Sequence, residues 1–173
     1  MKAYTKPWAI HSAITRRGKI DPTPRYQRPP VWSLPQKQLL MDTILREYDI
    51  PKLYLRSIDR KAYEWEVVDG QQRLRSIWEF YTGDYALRED MDPIRVRNGK
   101  EYKCANKKFD ELDDDLKDIF NGYQLDIVIF EEATDDEIED MFVRYQNGTT
   151  LKAAEKRNAI SGNMRDCSSA FFP

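Results

Sequence analysis

The sequence predicts an α+β fold, and three features carry the prediction. Two short apolar segments, Leu53 to Ile58 and Tyr63 to Val68, have the length and composition of strands. Leu74, Ile77, Trp78 and Tyr81 then follow at helical rather than alternating spacing. Capping-box pairs, Ser33 with Gln36 and Thr134 with Glu137, each stand ahead of an apolar-periodic stretch.

Taken in order, Trp8 to Arg17 reads as a short helix with Trp8, Ile10 or His11, and Ile14 inward. Residues 18–34 read as a loop, because Pro22, Pro24, Pro29 and Pro30 each disfavour helix at the residue before them. That loop carries Arg25, Tyr26, Gln27, Arg28 and Trp32, a set suited to binding, although the two aromatics would equally anchor it to a core. The next helix starts after Ser33, takes Pro35 in its first turn and runs to about Tyr48. The second strand alternates Tyr63, Trp65 and Val67 against Glu64, Glu66 and Val68, and hands over to a helix from Gln71 to about Tyr81. Residues 82–108 are polar, with a hairpin expected around Asn98-Gly99. Leu112, Leu116, Ile119 and Phe120 form one apolar stripe of a solvated acidic helix. A strand is expected over Gln124 to Phe130, a helix after Thr134, and another from Thr150.

At 173 residues the chain suits one domain spanning 1–173, with sub-lobes at 1–85 and 86–173 as the natural subdivision. With 34% charged and 40% hydrophobic residues, it has the composition of a soluble protein. No apolar run approaches a membrane span and no signal-peptide core opens the chain, so a cytoplasmic setting is expected. Cys104 and Cys167 are too few and too far apart for a disulfide framework or a zinc knuckle. The net charge of −2 hides an uneven distribution. Residues 110–140 hold 14 acids and one base, Lys117, for a net of −13, so the remainder carries +11. A basic body of that kind makes an anionic partner plausible, although individual surface charges are ordinarily just solvated.

Several chemistries are excluded. The chain has neither a Gly-x-x-x-x-Gly-Lys-Ser/Thr loop nor a Gly-x-Gly-x-x-Gly fingerprint. His11 is the only histidine, which leaves no Ser-His-Asp triad, multi-histidine metal site or HNH nuclease centre. The informative junction is Asp69-Gly70-Gln71-Gln72-Arg73, where a strand meets a helix N-terminus whose first amides lack intrahelical partners. Gly70 would let the backbone approach a ligand, Gln71 and Gln72 offer amide donors, and Arg73 can grip phosphate with two parallel bonds. Asp69 suits magnesium, a ribose hydroxyl or a positioned water, and one carboxylate does not choose among them. The plainer alternative makes Asp69 a helix cap and pairs Arg73 with a surface acid. A second element, Phe142 to Gly148 followed by Glu155-Lys156-Arg157-Asn158-Ala159, contains at least a helix stop at Asn147-Gly148.

Four ordered blocks resemble the N-terminal domain of GmrSD-type modification-dependent restriction endonucleases: Tyr26-Gln27-Arg28-Pro29 with Trp32; Ile50-Pro51 before Leu53-Tyr54-Leu55; Asp69-Gly70-Gln71-Gln72-Arg73-Leu74; and Phe142 to Asn147 with Leu151 and Glu155 to Ala159. Together they cover about residues 20–160. The resemblance implies a ParB/sulfiredoxin-like core, a small mixed sheet flanked by helices, plus a helical C-terminal part. It implies a nucleoside triphosphate as ligand, with magnesium if the nucleotide is hydrolysed, and a sensor role toward modified phage DNA, cleavage belonging to a separate HNH domain or subunit. By that analogy Gln27, Arg28, Gly70, Gln71, Arg73 and Asn147 contact the nucleotide. Asp69, Gln72 and Arg73 would act in any hydrolysis, Asp69 holding the metal. Neither cysteine lies beside the phosphate turn, so sulfiredoxin chemistry does not carry over. Without a nuclease module in the sequence, and with Phe171-Phe172-Pro173 at its end, the expectation is a fragment or a short regulatory paralogue. Two other functions stay open: a ParB-like switch that binds nucleotide or DNA without hydrolysis, and an acidic interaction domain that mimics nucleic acid.

Overall fold

The computed structural model describes residues 1–22, 32–60, 62–97, 99–141 and 143–144. Met1–Ala133 forms one compact unit, and the residues from Thr134 belong to a second. The first unit is mixed α+β. Its elements run β1 (Lys2–Ala9), α1 (Ile10–Thr15), β2 (Ile20–Asp21), α2 (Leu34–Leu45), β3 (Leu53–Arg60), β4 (Tyr63–Asp69), α3 (Gln71–Tyr81), β5 (Ile94–Arg95), β6 (Glu101–Tyr102), α4 (Asp114–Gly122) and β7 (Gln124–Glu131).

Five strands form one sheet in the order β1-β7-β3-β4-β2. The pairs β1/β7 and β3/β4 are antiparallel, whereas β3/β7 and β2/β4 are parallel. Alternation along the central strands sends Leu53, Leu55, Val67, Leu125, Ile127 and Ile129 into the main core. There they meet Met41 and Ile44 of α2, Leu74 and Ile77 of α3, and Leu116 and Phe120 of α4. Beyond the sheet, Phe80 packs against Phe109 and Phe120, with ring centroids 6.0 and 5.6 Å away.

Several expectations needed correction. Trp8 sits in strand β1, and the helix begins only at Ile10. β1 shows no apolar alternation because it is a polar edge strand, and an edge is where Pro7 costs no ladder hydrogen bond to a second neighbour. Helix α2 stops at Leu45 rather than near Tyr48, since Glu47 takes a left-handed φ of 56°. Glu66 lies on a face expected to be polar, yet it is fully buried, as are Val68 and Phe130 on the same side. The central strands are therefore covered on both faces.

Other features match the sequence reading. The Ser33 amide donates to Gln36 Oε1 at 2.9 Å, closing the start of α2. The Thr134 amide donates to Glu137 Oε2 at 2.9 Å, and the Glu137 amide returns to Thr134 Oγ1 at 3.3 Å, ahead of helical residues 135–141. β5 and β6 form a hairpin whose turn places Gly99 at a φ of 84°. Cys104 is buried and free; burial pushes its thiol pKa up, as suits an unreactive reduced cysteine. The helix expected from Thr150 lies outside the described residues.

The hairpin is tied to α4 by the Tyr102 hydroxyl, which donates to the Asp115 carboxylate. That bond, then burial, pushes the phenol up to about 12, and the same bond holds Asp115 below the usual carboxylate range. Asp115 thus contributes stability above the ordinary carboxylate pKa that is lost as pH falls, and Tyr102 contributes stability below the ordinary phenol pKa of 10.0 that is lost as pH rises toward 12. Tyr102→Phe is expected to return Asp115 toward its usual range in a carboxyl-carbon NMR titration. An Asp115 curve that stays in place would show the bond to be inconsequential.

Candidate functional site

The strand-to-helix junction is built as expected. β4 ends at Asp69, Gly70 takes the left-handed conformation at φ 93°, and α3 begins at Gln71. No cap side chain closes the helix. Asp69, the natural candidate, bonds Arg73 instead, its Oδ2 accepting from an Arg73 terminal nitrogen at 2.8 Å. The same nitrogen donates to the Lys52 carbonyl at 3.1 Å. The guanidinium is thus folded back against the turn, with the Arg73 side chain only 14% exposed and Asp69 51% exposed. Arg73 Nε is buried and has no acceptor among the described residues. Of the plainer alternative, the cap is not formed, whereas Arg73 does pair with a half-exposed acid, and that acid is Asp69 itself.

Gly70 is explained by packing as well as by its φ. A Cβ there would stand 2.2 Å from Leu53 Cδ2 and 3.0 Å from an Arg73 terminal nitrogen. The space on that side is filled by a core leucine and the arginine.

The two glutamines face the protein. Gln71 is buried, and its amide nitrogen donates to the Pro22 carbonyl. Gln72 Oε1 accepts from the Trp32 amide at 3.4 Å, and Gln72 Nε2 donates to Gln71 Oε1 at 3.4 Å. Adjacent residues of the first turn of α3 therefore hold the residues that flank segment 23–31, one on each side. Gln27 and Arg28 belong to that segment and, like Asn147, lie outside the described residues. In the second block Val143 and Arg144 are helical, and Arg144 pairs with Asp140 at 2.8 Å.

A family model described as the GmrSD restriction endonuclease, N-terminal domain, matches residues 11–161. The chain belongs to this family. Membership makes the GmrSD N-terminal domain described here part of a restriction endonuclease system. No curated protein and no solved structure matches the chain. Among the described residues of the domain, no helix is long and apolar enough to cross a membrane, and no group of three or more His, Cys, Asp or Glu could hold a metal ion.

Sequence reasoning missed one charged feature of this GmrSD domain. Arg56 and Glu66 are cross-strand partners on β3 and β4, and they form an ion pair with side chains 5% and 1% exposed. Arg56 also donates to the Ala133 carbonyl at 3.4 Å. On the same sheet face Tyr54 stacks on Phe130, centroids 6.1 Å apart and planes within 11°. The available signal was the presence of opposite charges in two predicted neighbouring strands; without the register, nothing placed them opposite each other.

Proposed function

We propose that the domain is a cytoplasmic, nucleotide-dependent sensor of a restriction system, which binds a nucleoside triphosphate at the Asp69–Arg73 turn and relays its state to an HNH nuclease domain or subunit acting on modified phage DNA. The observation that carries this reading is the first turn of α3. It has no side-chain cap, it holds Arg73 alongside, and its glutamines fasten the residues on either side of the segment bearing Gln27 and Arg28. An open helix N-terminus favours phosphate through its unpaired amides and dipole. Arg73 uses one terminal nitrogen for both of its bonds, so other guanidinium donors are left to meet an anion once Asp69 shifts. Gln27 and Arg28 would add further contacts to the phosphates.

Magnesium fits this donor set only as the nucleotide's companion. It is ordinarily bound by one or two carboxylates plus substrate phosphates, and Asp69 is the carboxylate at this turn. When bound, the ion would neutralise charge building on the phosphates. The residues' own share is positioning: Gln72 and Arg73 orient the phosphate chain, and Asp69 orients the metal or an attacking water.

Arg73→Ala is expected to weaken triphosphate binding about tenfold or more, the scale of a lost charged hydrogen bond, while the domain stays folded. Calorimetric titration reads both proteins, and equal affinities would overturn the assignment. Phosphate release with magnesium separates hydrolysis from a ParB-like switch, which would bind without turnover.

A further inference from the structure

A cleft of about 510 Å3 opens beside α3, lined by Arg17, Ile20, Pro22, Arg75, Trp78 and Glu79 among others. Positions 73 and 75 are about 200° apart around a helix. Arg73 and Arg75 therefore serve opposite sides of α3. Gln71, Arg75 and Trp78 fall on one stripe at i, i+4 and i+7.

The charges in this cleft do not cancel. Glu79 is neutralised by Lys37, its Oε2 accepting from Nζ at 2.6 Å. Arg17 stacks on Trp78, its Cζ 5.4 Å from the ring centroid, and no acidic group pairs with it among the described residues. Arg75 also lines the cleft, and among the described residues no acidic group pairs with it. Two positive charges without an acidic partner among the described residues thus line one cavity.

We propose that this cleft is a second anion site, which takes a phosphoryl group of a ligand up to nucleotide size. With Glu79 neutralised by Lys37, the lining carries a net charge of +2 among the described residues, which matches a phosphomonoester dianion, and the volume lies within the range of small-ligand pockets. A carboxylate would bring half that charge. A free nucleotide carries such a monoester, whereas a nucleic-acid strand presents singly charged phosphodiesters. The site does not use Arg73 or Asp69.

The test is 1H–15N NMR of the indole N–H signals in the full chain, with the Trp78 signal identified by Trp78→Phe. Inorganic phosphate, a nucleoside monophosphate and a short oligonucleotide lacking terminal phosphates are titrated in turn. The Trp78 signal should move with phosphate or the monophosphate and be unaffected by Arg73→Ala. Arg17→Gln and Arg75→Gln should each weaken the response about tenfold. A larger response to the oligonucleotide than to the monophosphate would overturn the monoester assignment; the reverse supports a free nucleotide. A Trp78 signal that ignores all three probes overturns the proposal, and so does a response that survives Arg17→Gln. Arg17 is exposed, so that variant is expected to fold even if Arg75→Gln does not.

Discussion

Glu66→Ala is expected to destabilise the domain by about 3–5 kcal/mol, the cost of leaving a buried charge without its counter-ion. Arg56 would remain inside the sheet with a side chain only 5% exposed, deprived of the carboxylate directly across the β3/β4 ladder. The pair itself is not a net stabiliser of that size, because desolvating two ions offsets most of their attraction. The double variant Arg56→Met/Glu66→Leu should therefore recover most of the loss. Urea unfolding of the three variants against the parent measures both quantities. A loss below about 1 kcal/mol for Glu66→Ala, the range of exposed ion pairs, would mean that water reaches the guanidinium and that the pair is not closed off. Because Glu66 lies only three residues before Asp69 on the same strand, its loss should also disturb the turn.

Gly70→Ala is expected to cost about 2–5 kcal/mol, with two separable causes. A residue with a Cβ at φ 93° is strained by about 1–2 kcal/mol. The new methyl would in addition meet Leu53 Cδ2 at 2.2 Å, and forcing an extra group into a packed core typically costs about 1–3 kcal/mol. Leu53 is 1% exposed and has little room to retreat. Pairing Gly70→Ala with Leu53→Ala should relieve the second cause and leave the first, so a double-mutant cycle by thermal unfolding should give a favourable coupling. Simple additivity would falsify the packing explanation and leave φ as the whole reason for glycine. This bears on function: if both causes operate, Gly70 is required by the fold whether or not a phosphate ever approaches it, and only binding measurements on variants such as Arg73→Ala speak to the ligand.

Much of this architecture was legible in the residue order. Leu53 onward and Tyr63 to Val68 are strands, the helix from Gln71 ends at Tyr81 as its spacing required, and both capping boxes close with the anticipated residues. These are local effects, set by periodicity and by side chains that reach no further than one helical turn. β1 was not legible, because a polar edge strand has no apolar face to reveal it and exists only through its ladder with β7, more than a hundred residues away.

The candidate site divides along the same line. Sequence alone determined that a strand passes through a glycine turn into a helix bearing Gln71, Gln72 and Arg73, and the family match over residues 11–161 agrees with the motifs that suggested it. Only the tertiary structure decided that Arg73 folds back on Asp69 and Lys52, that the two glutamines grip Pro22 and Trp32, and that Arg56 meets Glu66 inside the sheet. Backbone conformation follows from neighbours in the chain, whereas the partner of a charged or amide side chain depends on strand register and on segments that are distant in sequence.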